Sequence, residues 1–359
     1  MGLLKTIFRN KKISGILGIL PETISYFDDE VDNYTFPPKQ TMRLKKIMGY
    51  ESHRLSKETS FASDFCKFGI DYLLNHKMIS KDEIGAIVVV TLSPDYFLPQ
   101  ISNIIHGEFG FGHDVLCMDI PQGCCGFLMG LMQAFMLLEH LDDKKVLLCN
   151  VDVLSKKVSS KDRNDYPLAG DGAAITLVEN CKQDTKIHYI MNMDGARCNA
   201  LRIPAGGFRQ PNTPQTAKLK DLGDGNFRAL DHMHMDGTAV FNFVQSEVPP
   251  CIHEIIEYSG NSLDEINYFL FHQPNKFMLQ KLREKLGVNE ERLFIDLVTK
   301  YGNPSGASIP LVITDNLKNQ MLDKKHLCCL SAFGSGLAWG AMILRLGDLK
   351  FCQLVEAPL

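Results

Sequence analysis

The sequence has no long hydrophobic run and no surplus of charge of either sign. No apolar stretch reaches the roughly 18 residues of a membrane-spanning helix, so we expect no stable insertion into a membrane. The net charge of the 359-residue chain is -4, which gives no electrostatic reason to expect binding to nucleic acid. The 11 cysteines lack the spacing of a disulfide scaffold, and we see no secretory leader, so we expect reduced thiols in the cytoplasm.

The usual patterns of metal ligands are also missing. The chain contains no Cys-x-x-Cys pair and no His-x-x-x-His spacing, which are common sequence signs of a zinc site. We therefore expect no metal, and no bound cofactor of another kind.

What the sequence does contain is a glycine-flanked turn, Gly123–Gly126, that carries Cys124 and Cys125. A strand-like run, 115–120, precedes the turn, and an apolar helical pattern, 127–141, follows it. The first N–H groups of a helix have no partner within the helix, and the helix dipole favours an anion there. This position is expected to lower the pKa of a thiol and to make it more reactive. The alternative is a pair of buried, inert cysteines.

The two halves of the chain resemble each other. Asp82–Ile84 recurs as Asp264–Ile266 at an offset of 182 residues, and another match has an offset of 180 residues. At about the same offset, the turn Gly123–Gly126 corresponds to Gly302–Gly306. Strands alternate with helices in both halves, which indicates mainly parallel sheets covered by helices. The pattern predicts two similar α/β halves that arose by duplication.

These matches divide the chain into four segments. They are an N-terminal extension (1–12), a first half (13–180), an insertion that shapes a substrate channel (181–247), and a second half (248–359) that opens with a helix. We expect the extension to be frayed, although it also fits a myristoylation pattern and a basic amphipathic segment.

Three chemically active side chains stand at turns in corresponding places. Cys124 follows a predicted strand, His272 ends the strand-like run 264–271, and Asn303 lies in the turn that corresponds to the cysteine turn. Chemistry in α/β proteins is found at the carboxyl ends of strands, and equivalent turns of two related halves can meet. Together, the three residues suit acyl transfer through a thioester. Taken singly, His272 could be a structural histidine and Asn303 an ordinary turn residue.

Four segments closely resemble the signature loops of β-ketoacyl-ACP synthase III, a condensing enzyme of the thiolase superfamily. They are Gln122–Phe127, His272–Asn275, Tyr301–Ser308 and Ala332–Gly340. The resemblance extends over nearly the whole chain, from about Ile13 to Leu346. It implies an α/β, thiolase-like five-layer αβαβα fold of two pseudo-symmetric halves, with mixed, mainly parallel sheets.

The resemblance also implies roles for individual residues. Cys124 matches the acylated nucleophile, and Cys125 fills a small-residue position. His272 and Asn303 match the pair that holds the malonyl thioester carbonyl and stabilises the enolate. The backbone N–H groups of Cys124 and Ser335 match the oxyanion hole.

Further positions are implied to contact the acyl chain or its carrier. Phe333 matches the aromatic residue over the nucleophile. Leu98, beside Phe97, lies where the family places a partner-subunit phenylalanine at the floor of the acyl pocket. The candidates for contact with coenzyme A or a carrier protein are Arg163, Asn275, Lys276, Lys281, Arg283 and Lys285. The basic residues among them could equally form an ordinary solvated helix face.

One departure from the family concerns its coenzyme A site. The family's tryptophan and arginine are replaced here by Arg43 and Ile47. The acyl primer could therefore arrive on acyl carrier protein (ACP) instead of coenzyme A. The change also favours a specialised lipid or polyketide-like route over the housekeeping initiation of fatty-acid synthesis.

The resemblance implies an acyltransferase that acts on thioesters of coenzyme A or phosphopantetheine. It would catalyse the decarboxylative Claisen condensation of an acyl primer with malonyl-ACP, through an acyl-Cys124 intermediate. The expected partners are acyl carrier protein, the acyl donor and a second copy of the chain in a homodimer. Two alternatives stay open: transfer of the acyl group to a hydroxyl or amine acceptor, and a non-catalytic subunit of a heterodimeric synthase.

Overall fold

The computed structural model describes residues 4–221 and 223–359. Its strands are β1 (Leu4–Arg9), β2 (Lys11–Pro21), β3 (Ile24–Tyr26), β4 (Ser52–Arg54), β5 (Ile84–Val90), β6 (Leu116–Ile120), β7 (Lys145–Asp152), β8 (Gly172–Asn180), β9 (Lys186–Met193), β10 (Leu201–Arg202), β11 (Lys220–Asp221), β12 (Phe227–Arg228), β13 (His234–Met235), β14 (Tyr268–Phe271), β15 (His326–Gly334), β16 (Ala338–Leu346) and β17 (Phe351–Ala357). Its α-helices are α1 (Phe27–Glu30), α2 (Pro38–Met48), α3 (Ala62–Asn75), α4 (Ile101–Phe109), α5 (Gly126–Leu137), α6 (Gly237–Ser259), α7 (Lys276–Leu286), α8 (Leu297–Tyr301), α9 (Ser308–Asn316) and α10 (Lys318–Asp323).

Two mixed sheets form the centre of the molecule. The first has the strand order β17-β2-β8-β7-β5-β6, and the second has the order β1-β9-β16-β15-β14. In the first sheet β5 runs parallel to β7, and β8 runs antiparallel to both β7 and β2. In the second, β14 runs parallel to β15, and β16 runs antiparallel to both β15 and β9. The two sheets therefore share one pattern of strand directions, as the internal repeat predicts.

Helices and sheets alternate in five layers. Helices α3 and α4 pack on the outer face of the first sheet, and α6, with α7 beside it, packs on the outer face of the second. Helices α5 and α9 lie between the two sheets and share one apolar core with both. This arrangement confirms the predicted thiolase-like αβαβα fold. Helix α5 has no charged residue, as expected for a helix that lies mostly between two sheets.

The predicted frayed extension is wrong for the residues that the structure describes. Strand β1 pairs antiparallel with β9 and forms the edge of the second sheet, and Lys11 already belongs to β2. Phe8 holds β1 in place, since its ring packs 5.3 Å from the ring of Phe135 on α5. The predicted myristoylation site at Gly2 lies outside the described residues.

The predicted insertion, 181–247, is shorter than expected. Strand β9 lies inside the second sheet, and α6 begins at Gly237, 11 residues before the predicted start at Val248 (248 − 237 = 11). The carboxylate of Asp236 caps this earlier start by accepting the N–H of Ala239 at 2.9 Å. Pro249 and Pro250 favour a helix start nearby, but they lie inside α6. The irregular segment is therefore 194–236, and parts of it line the cavity described below.

Candidate active site

Cys124 lies in a tight turn between β6 and α5. The N–H of Gly126 donates to the carbonyl of Gly123 at 2.6 Å, which closes the turn. A Cβ atom on Gly123 would lie 2.6 Å from the side chain of Leu92, and one on Gly126 would lie 2.7 Å from that of Val90. The turn therefore needs both glycines, because the neighbouring side chains leave no space for a larger residue.

The three side chains that the sequence singles out line one cavity of about 900 Å³. Cys124, His272 and Asn303 are contributed by the start of α5, the end of β14 and the turn after α8. Phe333 and Ser335, from the end of β15 and the turn after it, line the same cavity. The structure thus brings together five predicted residues from both halves of the chain.

The pKa of Cys124 differs from the sequence-based expectation. Burial raises it to about 11, while the backbone N–H groups of Ser335 and Cys124 itself act in the opposite direction. The helix start therefore does not lower the pKa below its usual value, and the prediction of an acidic thiol is wrong. Gly334 encloses the sulfur, since a Cβ atom at that position would lie 2.5 Å from Sγ of Cys124. Cys125, in contrast, is fully buried in the core.

His272 is a neutral imidazole at physiological pH, because burial lowers its pKa to about 3. Its Nδ1 lies 2.8 Å from Oγ of Ser308, which also accepts the backbone N–H of Gln273 at 3.4 Å. Either group can be the donor in this contact, and a hydrogen bond with the backbone of Ser305 raises the pKa of the ring against the effect of burial. The ring of Phe333 packs edge-on at 5.8 Å and limits how the imidazole can turn.

Asn303 is held by its backbone and by its side-chain oxygen. Its N–H donates to the carbonyl of Leu168 at 2.7 Å, and its Oδ1 accepts the N–H of Ser305 at 2.9 Å. Because an N–H donor fixes which end of the amide is oxygen, the Nδ2 group is left to donate elsewhere. The cavity therefore contains two side-chain donors, on His272 and Asn303, in addition to the two backbone N–H groups near the sulfur.

A buried carboxylate near the cysteine turn, Asp152, was not predicted. It ends β7 and accepts the backbone N–H of Leu92 at 2.8 Å and the hydroxyls of Thr91 and Ser93, each at 3.1 Å. Burial raises its pKa to about 6, and its charge contributes to the raised pKa of Cys124. The position at the end of a buried strand is the signal that could have identified it, as it identified His272.

The predicted acyl-pocket residues do not all lie together. Phe333 lines the cavity, but Phe97 and Leu98 lie on the surface, with 70% and 82% of their area exposed. The ring of Phe97 contacts that of Phe208 instead, at a centroid distance of 5.2 Å. Within one chain Phe97 and Leu98 do not line the cavity, and their place in the acyl pocket of a partner subunit stays a prediction.

The residues predicted to contact the carrier lie in different environments. Asn275 lines the cavity, and its side chain caps α7 by accepting the N–H of Met278 at 2.7 Å. Arg163 is 8% exposed, and the ring of Phe36 covers its guanidinium at 3.4 Å. One face of the guanidinium is therefore occupied within the chain, and the contact of Arg163 with a nucleotide stays a prediction. Lys276 packs its stem near Gly49.

The remaining basic residues of α7 already have partners on the protein. Lys281 pairs with Glu284 at 2.7 Å, and Arg283 pairs with Glu290 at 3.7 Å. Lys285 donates to the carbonyl of Gln245 at 2.8 Å. The docking surface on α7 stays a prediction.

Within residues 4–221 and 223–359, none of the helices is long and apolar enough to cross a membrane. In the same part of the chain, no group of three or more histidine, cysteine, aspartate or glutamate residues is arranged to hold a metal ion.

Comparisons with known proteins agree with this site. Residues 118–195 match the family described as 3-oxoacyl-[acyl-carrier-protein (ACP)] synthase III, and residues 256–346 match its C-terminal region. The first match contains Cys124, and the second contains His272 and Asn303.

Individual relatives cover nearly the whole chain. The chain is 33% identical over 350 residues to a 3-oxoacyl-[acyl-carrier-protein] synthase 3 homologue from Campylobacter jejuni, covering 96% of this chain and 97% of that one. It is 31% identical over 300 residues to beta-ketoacyl-[acyl-carrier-protein] synthase III of Streptococcus uberis, covering 83% and 88%. A crystal structure of 3-oxoacyl-(acyl-carrier protein) synthase from Burkholderia xenovorans superposes with a TM-score of 0.90 at 28% identity, covering 98% and 99%. The chain therefore belongs to the 3-oxoacyl-[acyl-carrier-protein] synthase III family of acyltransferases.

Proposed function

We propose that this protein condenses an acyl thioester primer with malonyl-ACP and releases carbon dioxide and a β-ketoacyl thioester. The observation that carries the proposal is the shared cavity, which is lined by Cys124 and by two side chains that can donate hydrogen bonds, His272 and Asn303. The backbone N–H groups of Cys124 and Ser335 form one pair of donors, and the side chains of His272 and Asn303 form another. A nucleophile with two pairs of donors suits a reaction in which two thioester carbonyls are bound. The names of the relatives, 3-oxoacyl-ACP synthase III, support the same reaction.

The first half-reaction loads the enzyme. The Cys124 sulfur attacks the carbonyl carbon of the primer thioester, and the backbone N–H groups of Cys124 and Ser335 stabilise the oxyanion. The new S–C bond replaces the bond to the donor sulfur, and the thiol proton leaves with the donor as a free thiol. Because the pKa of Cys124 is about 11, the thiol loses this proton during the attack and not beforehand.

The second half-reaction forms the carbon–carbon bond. His272 and Asn303 donate to the thioester oxygen of the malonyl group, and the C–C bond to the carboxylate breaks to release carbon dioxide. Its electron pair forms an enolate, which the two donors stabilise. The enolate carbon attacks acyl-Cys124, and the cysteine leaves as a thiolate that regains a proton. A neutral His272 suits this role, because it donates a hydrogen bond without first releasing a proton.

Mass spectrometry and carbon dioxide release test the proposal together. The wild-type protein is incubated with a panel of acyl-CoA and acyl-ACP donors, and then with malonyl-ACP labelled in the free carboxyl group. We expect one acyl adduct, its loss in Cys124→Ala, and release of labelled carbon dioxide.

Each contrary result identifies an alternative. An acyl adduct without carbon dioxide would support transfer to a hydroxyl or amine acceptor. Absence of an adduct with every donor would support a non-catalytic subunit.

The nature of the primer's carrier is a finer part of the proposal. The ring of Phe36 occupies one face of the Arg163 guanidinium, where it would compete with a nucleotide ring. We therefore favour an acyl-ACP donor over acyl-CoA, with the basic residues of α7 as the predicted docking surface. The same donor panel distinguishes the two carriers. A specialised lipid or polyketide-like pathway stays part of this proposal.

The homodimer and the cytoplasmic location are likewise proposals. The exposed apolar loop of Tyr96, Phe97 and Leu98, together with Phe208, supports a second copy of the chain as the partner. In such a dimer, Leu98 would reach the acyl pocket of the partner. All 11 cysteines are free thiols in the structure, which supports a reducing compartment.

A further inference from the structure

We infer that Glu30 and His53, a buried pair outside the cavity, position Asn303 for the condensation step. This inference rests on the proposed function, because it assigns to the pair the orientation of the malonyl-binding donor. Neither residue lines the cavity, so they act as positioning residues and do not touch the substrate.

His53 bridges two acceptors at the end of β4. It is 1% exposed; Nδ1 lies 2.6 Å from the carbonyl oxygen of Ala169, and Nε2 lies 2.6 Å from Oε1 of Glu30. A carbonyl oxygen only accepts hydrogen bonds, so Nδ1 donates to Ala169, and Nε2 shares the second hydrogen bond with the Glu30 carboxyl group. The ring of Tyr166 packs edge-on at 5.2 Å and restricts rotation of the imidazole.

Glu30 is itself fixed by further donors. Its Oε1 also accepts the hydroxyl of Ser25, and its Oε2 accepts the hydroxyl of Tyr34 at 3.2 Å. Burial and the nearby Glu30 charge raise the pKa of Tyr34, so this phenol keeps its proton and donates it. The carboxylate therefore has a set position, from which it orients the ring of His53.

The Ala169 carbonyl connects this pair to the active site. Ala169 forms a parallel bridge with Asn303, and the carbonyl of Leu168, one residue earlier, accepts the N–H of Asn303 at 2.7 Å. His53 therefore binds the carbonyl of Ala169, and the backbone N–H of Asn303 binds the carbonyl of the preceding residue, Leu168. A shift of Ala169 therefore moves Asn303, whose side chain lines the cavity.

Residues 168–170 and 301–303 are in close backbone contact, with no free space between them. A Cβ atom on Gly170 would lie 2.3 Å from the carbonyl oxygen of Tyr301. One on Gly302, whose φ is +75°, would lie 2.8 Å from the carbonyl oxygen of Ala169. With no side chain between the two backbones, displacement of one is passed directly to the other.

Two substitutions of His53 separate the two hydrogen bonds. The amide nitrogen of asparagine can occupy the place of Nδ1, and that of glutamine the place of Nε2. His53→Asn therefore retains a donor for Ala169, whereas His53→Gln retains a donor for Glu30 and leaves the Ala169 carbonyl without one. The two variants are matched in chemistry and differ in which bond survives.

Both variants are assayed for acylation of Cys124 and for release of carbon dioxide from malonyl-ACP, with rates normalised to the fraction of Cys124 that can be acylated. We expect His53→Gln to lower carbon dioxide release about 10- to 100-fold, the effect of misplacing a group by about 1 Å. We expect His53→Asn to stay within about threefold of wild type, since its donor can still reach Ala169. Acylation should change by less than about twofold in both, because it does not use Asn303.

Different experimental results would contradict the positioning role of His53 and the proposed condensation. Equal losses in the two variants, no loss in either, or a parallel loss of acylation would overturn the positioning role. A wild-type protein that is acylated but releases no carbon dioxide would overturn the condensation itself and the inference with it. Normalising to acylated protein removes the contribution of any misfolded fraction.

Discussion

At the scale of single residues, Cys124 is subject to opposing influences on its pKa. Burial raises the pKa to about 11, although the sulfur is near two backbone N–H groups at the start of α5. Desolvation of the thiolate outweighs the attraction of these donors. Near neutral pH the cysteine of the free enzyme is therefore mainly the thiol.

The pH dependence of alkylation tests this conclusion. The thiolate fraction of a thiol rises about tenfold with each pH unit below its pKa, so labelling of Cys124 by iodoacetamide should rise about tenfold per unit between pH 7 and pH 10. The rate is measured by peptide mass spectrometry of the Cys124 peptide. Exposed Cys198 provides an internal reference for the reagent. A labelling rate that levels off near pH 8 would show that the helix start lowers the pKa after all.

Much of the site could be predicted from the sequence, but its electrostatics could not. Cys124, His272 and Asn303 stand in distinctive local motifs, and each follows a strand or matches a turn that does. The direction of the Cys124 pKa shift depends on its enclosure by Gly334, which lies 210 residues away in the chain (334 − 124 = 210). The hydrogen bonds of Asp152 and His53 likewise depend on partners from other segments, so the sequence does not show them.

At the scale of secondary-structure elements, β1 shows how a terminal segment gains order. Its residues have no helical or strand pattern strong enough to predict a fold on their own. They become a strand because β9 offers an unpaired edge and α5 offers an aromatic contact for Phe8. Neither feature can be read from the first twelve residues, which is why fraying was expected there.

A substitution of Phe8 tests the contribution of β1 to stability. We expect Phe8→Ala to lower the free energy of unfolding by about 2 kcal/mol, less than for a fully buried phenylalanine because the side chain is half-buried. Unfolding in urea, followed by tryptophan fluorescence, measures the change. Arg9→Ala on the same strand is the matched control and should change the free energy of unfolding by less than about 0.5 kcal/mol. Equal stability of the Phe8 variant and wild type would show that β1 adds nothing to the fold.

At the scale of the whole molecule, the exposed apolar loop predicts a dimer. Tyr96, Phe97 and Leu98 expose 62%, 70% and 82% of their area, an unusual cluster for a surface in contact with water. We expect the wild-type protein to have about twice the 40.3 kDa mass of one chain in solution. We expect Leu98→Asp to shift the mass towards one chain, because a carboxylate would be buried at the interface.

Light scattering after size-exclusion chromatography measures both masses. Leu322→Asp is the matched control, since Leu322 is also an exposed leucine but lies on α10, away from the loop. A wild-type protein with the mass of a single chain would contradict the dimer. A control variant that dissociates as readily as Leu98→Asp would show that the loop is not the interface.

Strands β1 and β17 each belong to the sheet formed mainly by the other half of the chain, which has a consequence for biosynthesis. Strand β1, from the beginning of the sequence, belongs to the second sheet, and β17, from near its end, pairs in parallel with β2 in the first. A ribosome therefore releases β17 long after β2 to β8 have emerged, and the first sheet cannot be completed during translation of its own half. The half that carries Cys124 acquires β17 only after the residues that carry His272 and Asn303 have been made, so the first sheet and the active site are completed together.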